Sequence, residues 1–161
     1  MPSKIVGAKE GDVPVLLKLI HELAVYEKLD HDFHLTEEKL RNHLFGARKY
    51  IEAILLQEND EKVGFALFFH NYSSFAAKPG LYVEDLYVKA EYRKKKYGLL
   101  LLSHLAKIAV ERDCARLEGL VLDWNEASIK VYLNLGAKAM DEWTVYRWTG
   151  DKIKSLAQLD I

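Results

Sequence analysis

The sequence predicts a mixed α/β fold, in which early antiparallel strands are followed by one parallel pair. Three observations lead there. Two short apolar segments lie either side of the polar turn Glu58-Asn59-Asp60-Glu61, close enough to form an antiparallel hairpin. Apolar residues recur at helical spacing ahead of them, over 13–29. A strand over 81–88, a leucine-rich helix over 97–112 and a strand over 116–122 then make a strand–helix–strand unit, whose strands run parallel.

The first strand covers residues 3–8. Asp12 is placed to cap a helix that tolerates Pro14 in its first turn, and Val13, Leu16, Leu17, Ile20, Leu23 and Ala24 form its apolar stripe. Thr36 caps a second helix, with Glu37 and Glu38 against the positive end of its dipole, and the helix stops near Phe45-Gly46. Residues 50–56 and 62–69 read as the hairpin strands, and Lys78-Pro79-Gly80 reads as a break before strand 81–88. Helix 97–112 is apolar around most of its circumference and belongs in the interior. Asn125 caps a helix ending at Gly136, which suits a left-handed C-terminal position. Residues 142–148 read as a last strand and 150–160 as a short helix.

A chain of 161 residues is most simply one domain, 1–161, large enough to bury a core. Its net charge of −1, from 23 basic and 24 acidic residues, argues against a general nucleic-acid or anionic-membrane partner. Cys114 stands alone, so neither an internal disulfide nor a cysteine-only zinc site is expected. His31 and His34, with Asp30 and Asp32, have a metal-like composition but no distant partner residue, and no metal is expected. The N-terminus lacks a signal-peptide core and no apolar run is long enough to span a bilayer, so the reading is cytoplasmic.

Two segments carry chemistry. Glu84 and Asp85 lie inside an apolar strand, where a carboxylate is costly unless paired, hydrogen-bonded or open to a cleft. Neighbours on a regular strand point to opposite faces, so the two cannot both turn away from the sheet's packing. The basic turn Arg93-Lys94-Lys95-Lys96-Tyr97-Gly98 follows and leads into a helix start. Such a turn can be a solvated surface loop, but its place after a parallel strand favours an anion site built from helix amides.

The segment Leu81 to Gly136 resembles the GNAT superfamily of acyl-CoA-dependent N-acetyltransferases. That family's motif, Arg/Gln-x-x-Gly-x-Gly/Ala, is matched by Arg93, by Lys96 in the first glycine position, and by Gly98. The blocks Leu23 to Glu27, Leu35-Thr36-Glu37, Tyr82 to Asp85, Tyr92-Arg93 and Trp124 to Tyr132 are similar, in order, to the diamine (spermidine/spermine, thialysine) subfamily. The resemblance implies a mostly antiparallel mixed sheet with helices on both faces and a splayed parallel pair of central strands. It implies acetyl-CoA as cosubstrate, a small polyamine or lysine/thialysine-like amine as acceptor, and a homodimer in which 142–148 contributes to the partner's site.

By position, backbone groups of Leu86, Tyr87 and Val88 would pair with the pantetheine arm. Arg93, Lys94, Lys95, Lys96, Tyr97, Gly98 and Leu99 would form the pyrophosphate loop, and Asn125 and Ser128 would contact the coenzyme further along. Tyr26, Glu27, Glu84 and Asp85, with Glu118, Gly119 and Leu120, would shape the amine site. Glu84 is the candidate to take a proton from the amine, and Tyr132 to return one to the departing thiolate. Lys96 departs from the motif. A left-handed backbone is uncomfortable for lysine, so a differently shaped loop with altered coenzyme binding is expected. A coenzyme-binding sensor or interaction module with little turnover is the alternative.

Overall fold

Five strands in the order β1-β2-β3-β4-β5 form the sheet of a computed structural model that describes residues 3–160. The strands are β1 (Ser3–Gly7), β2 (Glu52–Glu58), β3 (Glu61–Ser73), β4 (Lys78–Val88) and β5 (Leu117–Gly119). The first three interfaces are antiparallel and the last, β4 with β5, is parallel. Three helices accompany them: α1 (Val13–Tyr26), α2 (Glu37–Phe45) and α3 (Tyr97–Glu111). These elements make one unit, Met1–Leu120; a second, Val121–Ile161, holds α4 (Glu126–Asn134) and α5 (Asp151–Ala157).

Strand alternation sorts the core onto two faces. Ala53, Leu55, Phe65, Leu67 and Tyr87 pack against the apolar stripe of α1 and against Leu40 and Leu44 of α2. Ile54, Leu56, Ala66, Phe68, Leu81 and Val88 point the other way, onto Leu101, Leu105 and Ala109 of α3. Leu16, Leu19, Leu55, Leu56, Leu101 and Leu105 are fully buried, each worth roughly 1.5–3 kcal/mol in removed apolar surface. Helices therefore cover both faces of the sheet. Among the described residues no helix is long and apolar enough to cross a membrane.

The caps are local chemistry. Thr36 accepts from the Lys39 amide at 3.2 Å and Asn125 from the Ser128 amide at 3.3 Å, as their positions predict. Asp12 does not cap α1; its carboxylate accepts from the Lys9 amide at 2.8 Å and closes the 3-10 turn before the helix.

Three elements differ from the sequence expectation. Lys78-Pro79-Gly80 belongs to β4, opposite Ser73, Tyr72 and Asn71, so the hairpin turn lies at 74–77. Proline is tolerated because the Pro79 carbonyl accepts from Ala115 at 2.8 Å and the Leu81 amide donates to Arg116 at 2.9 Å. Those groups face β5, so the missing donor is not taken from the β3 ladder. Residues 142–148 form no strand. A strand is a partnership, and among the described residues the second unit contains no strand to pair with. Strand β5 likewise ends at Gly119, short of 122.

Candidate active site

The site begins with a β-bulge. Leu67 pairs with Asp85 and Phe68 with Val83, which leaves Glu84 as the extra residue of β4. The bulge overturns the simple alternation expected for Glu84 and Asp85. Val83 and Leu86, three apart, both pack on the α3 face, while Asp85 opposes Leu67 on the α1 face with Tyr87 two residues on. Glu84 is exposed and Asp85 half-buried.

Three carboxyls interact here. Burial, then the charges of Glu84 and Glu27, push Asp85 from 3.8 up to about 7. Burial and Glu84 also raise Glu27, the residue that follows α1. The cluster thus keeps a proton into the neutral range and is poised to exchange one.

The same bulge marks the end of the parallel ladder. Leu81 pairs with Leu117, Tyr82 with Glu118 and Val83 with Gly119; beyond that, no strand among the described residues pairs with this edge of β4. At the fork the strands approach closely: a Cβ on Gly119 would stand 2.9 Å from the Val83 carbonyl oxygen. On that edge the Leu86 backbone faces no partner strand among those described, while the Val88 carbonyl accepts from Arg93 Nε. Glu118 is occupied differently, accepting from Asn71 Nδ2 at 2.5 Å and from Arg116 Nε at 3.0 Å.

After β4 the chain makes a 3-10 turn over Ala90–Lys95 and then enters α3 through Lys96. Lys96 has φ 61 and ψ 23, the left-handed conformation, although glycine is the residue suited to it. The loop therefore keeps a glycine-like backbone with a lysine in place, contrary to the expected change of shape. The first-turn amides of α3 have no intrahelical acceptors. A Cβ on Gly98 would meet only Leu86 Cδ2, at 3.9 Å, so its approach is uncrowded. Open amides, a left-handed entry and an uncrowded glycine fit a diphosphate.

The basic side chains are less uniform than the run implies. Arg93 donates Nε to the Val88 carbonyl at 3.0 Å and lies over Tyr26 and Tyr87. Lys95 binds Glu58 at 2.7 Å, and the Tyr97 hydroxyl also donates to Glu58. Lys89 and Tyr92 bind Glu61 at 2.6 and 2.9 Å. Lys94 and Lys96 stay exposed. In the sequence Glu58 reads as part of a polar turn; its burial at the end of β2 has no local signal beyond the apolar run before it.

In the second unit, Asn125 and Ser128 share the cap of α4. Burial raises the Tyr132 phenol, which keeps its proton at neutral pH.

The profile of the acetyltransferase (GNAT) family matches residues 16–137. The chain belongs to this family. The GNAT protein is 35% identical to L-ornithine N5-acetyltransferase of Arabidopsis thaliana, over 100% of its own length and 90% of the relative's. It is 34% identical to thialysine N-epsilon-acetyltransferase of Bos taurus, covering 93% of this chain and 94% of that one. An integron cassette protein from the mobile metagenome of V. cholerae superposes with a TM-score of 0.83 at 28% identity, covering 99% of both chains. The bulged β4, its open edge and the loop into α3 are thus features of an N-acetyltransferase.

Proposed function

We propose that this GNAT protein transfers the acetyl group of acetyl-CoA to a primary amine of a small diamine, polyamine or basic amino acid, with ornithine, thialysine and spermidine as the first candidates. The observation that carries the reading is the bulge at Glu84, which puts paired carboxyls beside the open edge of β4. The names of the relatives support the acceptor class. The family match runs through the division after Leu120, which supports one catalytic domain.

Acetyl-CoA supplies an activated thioester. Leu86, Tyr87 and Val88 hold its arm along the β4 edge, the amides opening α3 hold its diphosphate, and Asn125 and Ser128 contact it further along. The acceptor arrives as an ammonium ion and must lose a proton first. Glu84 and Asp85 act as one proton-accepting pair, Glu84 exposed to the substrate and Asp85 buffering near pH 7. Nitrogen then attacks the carbonyl carbon, the C–N bond forms and the C–S bond breaks. Tyr132 gives the leaving thiolate its proton and is reprotonated by the second proton that the nitrogen sheds as the amide forms. Tyr26 and Glu27, with Glu118, Gly119 and Leu120, border the amine, and Glu27 favours a second positive charge on it. The protein works as a homodimer, a reading supported by the subfamily resemblance.

Initial-velocity kinetics test direct attack. With acetyl-CoA and each candidate amine varied together, intersecting double-reciprocal lines are expected. Parallel lines would mean a covalent acetyl-enzyme and would overturn the ternary complex.

A further inference from the structure

Glu58 is the buried charged residue that the proposed chemistry does not use. It ends β2 with a relative exposure of 7% and is the one buried charged or polar residue among those described. A carboxylate in such a place must be satisfied by donors. It accepts from Lys95 Nζ at 2.7 Å and from the Tyr97 hydroxyl. Those two donors flank Lys96, the residue held left-handed at φ 61.

A negative charge close to a diphosphate cradle works against anion binding, and here it also neutralises Lys95, one of the loop's cations. Its use is therefore geometric. With residues 95 and 97 both anchored to one carboxylate, the backbone between them has little freedom. The Lys96 carbonyl in turn accepts from the Leu100 amide at 3.1 Å, so the setting of Lys96 is passed to the first turn of α3.

We propose that Glu58 is a positioning residue for the coenzyme: through Lys95 and Tyr97 it fixes the left-handed entry at Lys96 and aims the amides that open α3. The inference rests on reading this loop as the diphosphate cradle of the proposed function. It adds a residue from β2, outside the motif that carries the resemblance.

The test compares the native protein with Glu58→Gln, which keeps the shape and one acceptor oxygen, and with Tyr97→Phe, which removes one donor. Calorimetry reads the Kd for coenzyme A. Steady-state assays read KM for acetyl-CoA, KM for the amine, and kcat. Hydrogen exchange of the protein without ligand reads the Leu100 amide against the amides of β3. The expected result for Glu58→Gln is a rise of about tenfold in Kd and in KM for acetyl-CoA, equivalent to one misplaced set of donors. Amine KM and kcat should stay within about twofold, and the Leu100 amide should exchange faster while β3 stays protected. Tyr97→Phe should move the same readouts in the same direction by less. Unchanged coenzyme affinity in Glu58→Gln would overturn the positioning role. So would equal loss of protection at Leu100 and across β3, because Glu58 would then serve the fold as a whole. If the native protein itself failed to bind coenzyme A, the proposed function would fall, and the role given to Glu58 with it.

Discussion

Arg93 turns back along β4 and donates Nε to the Val88 carbonyl at 3.0 Å, its guanidinium carbon 4.6 Å from the centre of the Tyr26 ring. The first residue of the coenzyme motif is thereby a clasp. It joins the end of β4, where the coenzyme arm is proposed to lie, to the end of α1, where the amine is proposed to bind.

Removing that clasp has a cost in stability. A charge-assisted hydrogen bond and an exposed cation–π contact together contribute about 1–2 kcal/mol at an exposed position. Arg93→Ala should lower the unfolding free energy in urea by that amount. Arg93→Lys should recover less than half, since an ammonium lacks the planar fork that bonds Val88 while stacking on Tyr26. An Arg93→Ala protein as stable as the native one would show that the clasp contributes nothing.

Lys96 makes the opposite prediction. A left-handed φ of 61 costs an L-residue about 1–2 kcal/mol, and glycine avoids most of it. Lys96→Gly should therefore raise the unfolding free energy by about 1 kcal/mol, whereas Lys96→Ala, equally strained, should leave it near the native value. Equal stability of the glycine and alanine variants would contradict the strain.

Asp85 ties stability and rate to pH. Its pKa rises on folding, from 3.8 to about 7, so the native state holds this proton more tightly than the unfolded chain. The contribution favours folding fully below the ordinary aspartate value and is lost as pH climbs through about 7. Asp85→Asn should thus gain about 2 kcal/mol over the native protein at pH 8 and little at pH 4, less than full linkage because the side chain is only half-buried. Acetyl transfer by the native protein should rise with pH through about 7, as the pair becomes able to accept a proton. In Asp85→Asn the limb near pH 7 should disappear, since the group that titrates there is gone. A pH–rate profile identical in the two proteins would remove Asp85 from the proton path.

The two groups given direct roles should act mainly on kcat. Glu84→Gln should lower it at least tenfold and Tyr132→Phe about a hundredfold, within the usual reach of positioned acids and bases. Rates unaltered in Tyr132→Phe would take that residue out of thiolate protonation.

Much of this was legible in the residues. The apolar runs of β2 and β3 either side of a polar turn, the Thr36 and Asn125 caps and the strand–helix–strand around α3 were all readable because they are local patterns. The bulge was not, because it depends on register: Glu84 becomes the extra residue only when Leu67 and Phe68 choose Asp85 and Val83. The same holds for the charges. Four basic residues in a row look alike, yet Arg93 is claimed by Val88 at the end of β4 and Lys95 by Glu58 at the end of β2, distant in the chain. The strand expected at 142–148 failed for a related reason: residue type suggests a strand, but only a neighbour makes one.

The most direct test is product formation. Incubated with acetyl-CoA and separately with ornithine, thialysine, spermidine and putrescine, the purified protein should yield a mono-N-acetylated amine and stoichiometric free coenzyme A, resolved by mass spectrometry, with Glu84→Gln strongly impaired. A folded protein that binds coenzyme A yet acetylates none of these amines would contradict the account.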